Sequence, residues 1–318
     1  MKKHLITGIT GQDGLFLVKR IIEAEPRSKV IGISRSLETS LFYKNLNSLG
    51  VKDNSNIKIH NLNLNNASVT EEFLKDLKPD SVYNLTGPSS PYESIQNPNK
   101  YNQVENIFNN LTAAFIKNRN FPNFFQASSS EMFKNNNNSK LSEDSIFDPI
   151  SPYANYKLKN HNNVLELREE YNWNIYSGIM FNHESEFRKE QYLFKKIINS
   201  ARLIKAGKQS ELVVGSLDYV RDWSFAGDIS SGIYLITNNG KSGSYVMGSG
   251  VENNIGYLIS IVFQHFKLDV NDFVSTDSSL LRKGDPDYIV SNPSKIREEL
   301  GWKTSLNFED LVYRCISL

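Results

Sequence analysis

Tyr153 and Lys157 stand one helical turn apart in Ser151-Pro152-Tyr153-Ala154-Asn155-Tyr156-Lys157. Residues at that spacing share a helix face, which sets an ammonium beside a phenol. A cation there favours the phenolate and would bring a group that ordinarily titrates near about 10 toward working pH. Just upstream, Gln126-Ala127-Ser128-Ser129-Ser130-Glu131 adds hydroxyls and a carboxylate. A hydroxyl, a carboxylate and an activated phenol suffice for acid–base work on a sugar-like substrate. Each element alone also fits a plain account. Tyr-x-x-x-Lys occurs on ordinary surface helices, and Ser-Ser-Ser-Glu can simply cap one.

Their meaning depends on the elements that position them. An apolar strand over 123–127 would deliver the serines at its end. Ser151 as cap and Pro152 in the first turn would start the helix. At the head of the chain, a strand over 4–7 runs into Gly8-Ile9-Thr10-Gly11-Gln12-Asp13-Gly14 and an apolar helix over 15–24. Strand, glycine turn and helix in this order cradle a pyrophosphate: glycines let the backbone approach, and the helix N-terminus faces the charge. The spacing is G-x-x-G-x-x-G rather than G-x-G-x-x-G. Further strands are expected over 29–34, 57–64, 81–85 and 174–181, with a helix over 101–117. This alternation predicts an α/β fold, a doubly wound parallel sheet of Rossmann type with a smaller C-terminal substrate-binding domain. The second strand ends in Ser34-Arg35-Ser36, with no acid for an NAD ribose. Arginine there suits a 2′-phosphate, so NADP is the expected cofactor, with NAD possible.

The 318 residues are enough for one large domain or two. A net charge of +1 argues against nucleic acid and membrane as partners. The single cysteine, Cys315, excludes an intramolecular disulfide and points to a reducing, cytoplasmic setting. Met1-Lys2-Lys3 precedes only a short apolar run, so no signal peptide is expected, and no run is long enough to span a bilayer. Asn182-His183-Glu184-Ser185 has one histidine and no ligand spacing, so no metal is expected. A basic helix over 194–206 carries Lys195, Lys196 and Arg202. Arg221-Asp222-Trp223 and Arg282-Lys283-Gly284-Asp285 follow. These separated cations suit a phosphate clamp; the plain alternative is solvated surface charge. Four asparagines at 135–138 read as a surface tip, and Trp302 with Phe308, Leu311 and Val312 as the final packed helix.

Assembled, these residues resemble the extended short-chain dehydrogenase/reductase family, and within it most closely the GDP-mannose 4,6-dehydratases. The resemblance runs through Leu5 to Gly14, Tyr83-Asn84-Leu85, Gln126-Ala127-Ser128 with Ser130-Glu131, and Ser151-Pro152-Tyr153 with Lys157-Leu158. It continues through Phe181 to Ser185, Arg221-Asp222-Trp223 and Leu300-Gly301-Trp302-Lys303. It implies that Tyr153, lowered by Lys157, takes the proton of the sugar 4-hydroxyl while hydride leaves C4 for NADP. Glu131 would then remove the C5 proton and assist loss of the 6-hydroxyl, Ser129 would bond the 4-oxygen, and the hydride would return to C6. It further implies a cofactor site of Gly8, Thr10, Gly11, Gln12, Asp13, Gly14, Arg35, Asn63, Leu64, Leu85 and His183, together with Tyr153 and Lys157. Ser89, Asn182, Lys196, Arg221 and Arg282 would bind the substrate. Residues 1–181 and 219–241 would form the dinucleotide-binding domain, 182–218 and 242–318 the nucleotide-sugar domain, in a homodimer or higher homo-oligomer.

Three departures stand out. Serine replaces the family's usual threonine at 129. The loop 86–90 reads Thr-Gly-Pro-Ser-Ser, and the family's paired arginines after the second strand are reduced to Arg35. The expected substrate is a GDP-hexose, by default GDP-mannose, with GDP-N-acetylglucosamine or a GDP-heptose as rivals. An epimerase or reductase of the same fold is the next reading, and Glu131 argues against it. A non-catalytic nucleotide sensor is the third, disfavoured by the joint presence of Ser129, Glu131, Tyr153 and Lys157.

Overall fold

Short β-branched runs alternate with amphipathic segments along the first two-thirds of the chain, and the fold follows that alternation. The computed structural model describes residues 1–317 except Asn54, Pro88, Ser89, 135–138, Ser242, Arg282 and Lys283, and except the side chains of 98–105. The expected asparagine tip, Ser89 and Arg282 therefore lie outside the described residues. The first half comprises β1 (Lys3–Thr7), α1 (Gln12–Ala24), β2 (Lys29–Ser34), α2 (Ser40–Ser48), β3 (Ile57–Asn61) and α3 (Ala67–Leu74). It continues with β4 (Ser81–Asn84), α4 (Pro91–Gln96), α5 (Pro98–Lys117), β5 (Asn123–Ser129), α6 (Pro152–Tyr171) and β6 (Ile175–Met180). The second half holds β7 (Asn182–Glu184), α7 (Leu193–Lys205), β8 (Leu212–Val214), β9 (Val220–Arg221), β10 (Trp223–Phe225), α8 (Ala226–Asn239) and β11 (Ser244–Met247). After these come β12 (Asn253–Asn254), α9 (Ile255–Phe266), α10 (Val270–Phe273), β13 (Val274–Thr276), β14 (Tyr288–Ile289), α11 (Ser294–Leu300) and α12 (Phe308–Ile316). Among the described residues no helix is long and apolar enough to cross a membrane.

Seven parallel strands form one sheet in the order β11-β6-β5-β4-β1-β2-β3. The order reverses between β1 and β4. In an open α/β sheet that switch point opens a crevice at the carboxyl ends of the strands. A buried polar ladder fixes the strand ends there: Thr7 Oγ1 donates to Asn84 Oδ1 (2.6 Å), and Asn84 Nδ2 donates to Gln126 Oε1 (2.7 Å). Apolar clusters cover both faces of the sheet. Strand β3 stops at Asn61 rather than at 64. Asn63 instead turns the chain, its Oδ1 accepting from Asn65 N (3.2 Å). Strand β5 runs two residues past the expected end, which carries Ser129 into the crevice.

A second layer stands over that crevice. Helices α7, α9 and α12 pack around Phe194, Ile198, Trp223, Leu258 and Leu311, and β7 pairs with β10. Two expectations give way. The segment from 242 onward does not all belong to this layer: Tyr245, Val246 and Met247 are fully buried, and β11 joins the large sheet beside β6. Trp302 is not part of the last helix either. It packs under the sheet with Ile229, Ile233 and Ile296, and its Nε1 donates to Asp228 O (2.9 Å). The Phe308, Leu311 and Val312 face of α12 packs in the other layer.

Candidate active site

The crevice is a cleft of about 900 Å³ between the sheet and the second layer. Gly8, Thr10, Gly11, Gln12, Asp13, Arg35, Asn63, Leu64 and Leu85 line its first end. Gly8 has φ +72°, and a Cβ there would meet Leu85 O at 3.0 Å, so only glycine lets this turn pass β4. Gly11 precedes α1 without any side-chain cap, which leaves the first-turn N–H groups facing the cleft. Gly14 behaves differently from the expectation and does not line the cleft. A Cβ on it would sit 2.4 Å from Ile9 O, so it serves close packing of helix on turn. Arg35 is exposed at the end of β2.

Gln12 and Asp13 reach the cleft, but their side chains are engaged elsewhere. Gln12 Nε2 donates to His183 O (3.1 Å), and Ser185 Oγ donates to Gln12 Oε1 (2.7 Å). His183 Nε2 lies 3.0 Å from Asp13 Oδ1, and its Nδ1 lies 2.7 Å from Phe181 O. Burial pushes the Asp13 carboxyl up, but the imidazole beside it outweighs burial and holds the group below its ordinary value. Burial likewise draws His183 down, and Asp13 reverses that, leaving it raised. The turn is thus tied to β7 by its side chains, and its backbone is what it offers to a ligand.

The middle of the cleft is built by β5 and α6. Ser151 Oγ accepts from Ala154 N (3.1 Å) and Pro152 opens the helix, as its sequence implies. Tyr153 and Lys157 are both buried, and the Lys157 ammonium stands 5.7 Å from the Tyr153 ring centroid. Lys157 Nζ donates to Ala127 O (2.7 Å). Ser129 Oγ accepts from Glu131 N (3.3 Å), which starts the short turn carrying Glu131, and also bonds the Tyr153 hydroxyl. The expected lowering of Tyr153 by Lys157 is reversed. Burial pushes the phenol up, the Ser129 bond opposes this, and the Glu131 charge adds to it. Burial also pushes Lys157 down to about 8. In so dry a pocket desolvation of both charged forms outweighs their mutual help.

Asn182 and Arg221 line the far end, together with Asp285. Arg221 Nη2 lies 3.6 Å from Asp285 Oδ2 and its Nη1 donates to Val220 O (2.9 Å). Beyond Glu131, these three residues share a side chamber of about 200 Å³ with Phe133, Lys134, Asp148, Ile150 and Pro286. Lys196 is not among the cleft-lining residues. The inward face of α7 carries Phe194, Ile197, Ile198 and Ala201, which turns Lys196 to solvent. Arg188 and Tyr192, which sequence reasoning did not single out, do line the cleft. The Arg188 guanidinium stacks on the Tyr192 ring (3.7 Å) and lies 3.1 Å from Glu184. The spacing of Glu184 and Arg188 was the available signal. Lys134 and Asp148 gave none, since nothing near them in sequence marks the chamber.

The family model described as GDP-mannose 4,6 dehydratase matches residues 5–315. GDP-mannose 4,6 dehydratase 1 of Arabidopsis thaliana is 33% identical over 98% of this chain and 88% of its own length. The fold matches a solved structure of RMD from Pseudomonas aeruginosa complexed with NADPH, at TM-score 0.81 and 20% identity over 100% of this chain and 98% of that one. It also matches dTDP-glucose 4,6-dehydratase from Bacillus anthracis in complex with NAD, at TM-score 0.84 and 18% identity over 100% and 96%.

Proposed function

The chain belongs to the GDP-mannose 4,6-dehydratase family, and from that premise we propose that it dehydrates a GDP-hexose, GDP-mannose first, to the GDP-4-keto-6-deoxy sugar. The observation that carries this reading is the position of Glu131. Its residue lines the cleft with Ser129 and Tyr153 and also the side chamber with Asn182 and Arg221. An epimerase or a simple reductase needs no carboxylate there, whereas loss of water across C5 and C6 needs one group that first takes and then gives a proton.

A nicotinamide dinucleotide fits the first end of the cleft, because the uncapped start of α1 and the close pass at Gly8 offer backbone N–H groups to a pyrophosphate. When bound, such a dinucleotide would supply the hydride acceptor for C4 and the hydride donor for C6. Arg35 supports NADP over NAD. Glu38 lines the same end, but its Oε1 accepts from Ser40 N (2.8 Å) and is occupied as a capping group. Tyr153, as the phenolate its burial disfavours and Ser129 helps to hold, takes the O4 proton, and Ser129 also bonds the same sugar oxygen. Lys157, anchored on Ala127 O, supplies the nearby positive charge. Glu131 takes the C5 proton and delivers it to the departing 6-hydroxyl. As the hydride returns to C6, C5 takes up a proton in place of the one Tyr153 removed from O4, so the products are one water and the ketosugar. Asn182 and Arg221 hold the diphosphate.

The side chamber favours a second reading. Its apolar wall of Phe133, Ile150 and Pro286 and its polar pair Lys134 and Asp148 leave room for more than a bare hexose. GDP-N-acetylglucosamine and a GDP-heptose are the candidates. The test is incubation with a panel of GDP-sugars and NADP, followed by mass spectrometry. Loss of one water without net cofactor reduction is expected for one member of the panel. An unchanged mass with an inverted centre, or stoichiometric reduction of the NADP, would overturn the reading.

A further inference from the structure

Asp13 sits in the turn whose backbone faces the pyrophosphate, where a bare carboxylate would repel the ligand. Its neighbour is His183, and the geometry fixes that ring's protonation. One ring nitrogen lies 2.7 Å from the Phe181 carbonyl and the other 3.0 Å from the Asp13 carboxylate. Both partners only accept, so both nitrogens carry hydrogen and the ring is an imidazolium. The same residues knit turn to strand, since Gln12 bonds both His183 O and Ser185 Oγ.

We propose that the Asp13–His183 pair is a proton-operated latch on the cofactor: protonated, it neutralises the turn and lets a dinucleotide bind, and deprotonated, it exposes a carboxylate that drives the dinucleotide out. The other charges around the pair are Glu184 on β7, Arg188 after it and Lys157 on α6. Glu184 and Arg188 offset one another (3.1 Å), while Lys157 is coupled to Asp13 and titrates near about 8. The sign is fixed. Burial draws His183 down but Asp13 raises it above its ordinary value, so the latch holds its proton to higher pH than a free imidazole would and opens as pH climbs through that raised value. Cofactor affinity falls with it.

The latch rests on the dinucleotide reading above, and the two fail differently. NADPH fluorescence titration of the full chain between pH 7 and 9 reads the dissociation constant directly. The wild type should weaken roughly tenfold over that range. Asp13→Asn should bind well at both ends and lose most of the pH dependence. His183→Gln should bind as weakly at pH 7 as the wild type does at pH 9, and adding Asp13→Asn to it should restore affinity. Lys157 also titrates in this range, and losing the Asp13 charge lowers it further, so Lys157→Met in each background separates its share of the pH dependence. If Asp13→Asn weakens binding as much as His183→Gln and the double variant shows no rescue, the pair is a structural tie and the latch is refuted. If the wild type binds no NADPH at pH 7, the dinucleotide reading falls, and the latch with it.

Discussion

The two ends of the cleft are assembled from different materials. At the first end, one unbroken turn, Gly8 to Asp13, presents backbone N–H groups, and the side chains of Gln12 and Asp13 tie it to β7. At the far end the lining polar groups are side chains, Asn182, Arg221 and Asp285, drawn from segments about 40 to 100 residues apart in sequence and brought together by β7, β9 and the approach to β14. A backbone cradle tolerates many side-chain changes but almost no change of glycine at Gly8. A side-chain clamp is the reverse: each member can be lost singly at a measurable cost. Between them, Tyr153, Ser129, Glu131 and Lys157 combine both, since Lys157 is held by a backbone carbonyl and the rest by one another.

That contrast can be broken or sharpened by substitution. The largest effect is expected in the middle. Tyr153→Phe should cost turnover by about 10²–10⁴ if Tyr153 is the O4 base proposed above. Near-normal turnover would assign the proton to water. Glu131→Gln should stop water loss while a single round of cofactor reduction survives, visible as a stoichiometric absorbance burst. A burst followed by normal turnover would remove Glu131 from the chemistry. At the clamp, Arg221→Ala should raise KM by tens-fold, about 1.5–3 kcal/mol, with kcat little changed, because the diphosphate does not react. A fall in kcat at constant KM would mean that Arg221 acts on the reacting centre. Lys196→Ala is the matched control and should leave both constants where they are. The smallest effect belongs to the rim of the first end. Arg35→Asp should shift the NADP-to-NAD affinity ratio toward NAD, and equal ratios before and after would make Arg35 a bystander.

The glycine turn, the cap at Ser151 and the Tyr153–Lys157 face were legible because each is written in one contiguous segment with a fixed period. The strand order followed from the same alternation. What escaped was set by contacts between distant segments. The direction of the Tyr153 shift depends on how completely other elements bury it, and spacing on α6 carries no trace of that. The orientation of Lys196 was available in principle, since Phe194, Ile197 and Ile198 define the buried face of α7; charge was read before period. Asp13 looked like a ligand contact because its motif is one, yet its side chain answers to His183, 170 residues further on.

The return of the chain to the sheet after Met247 bears on how the protein is made. Strand β11, Ile296 and Trp302 complete the underside of a sheet that begins with β1. A ribosome releases the amino-terminal strands long before these residues exist. Until β11 emerges, β6 remains an open edge, and until Trp302 follows, Ile229 and Ile233 lack part of their cover. The nascent chain must therefore carry an exposed apolar surface through the synthesis of most of the second layer, and that interval is when a chaperone would find it.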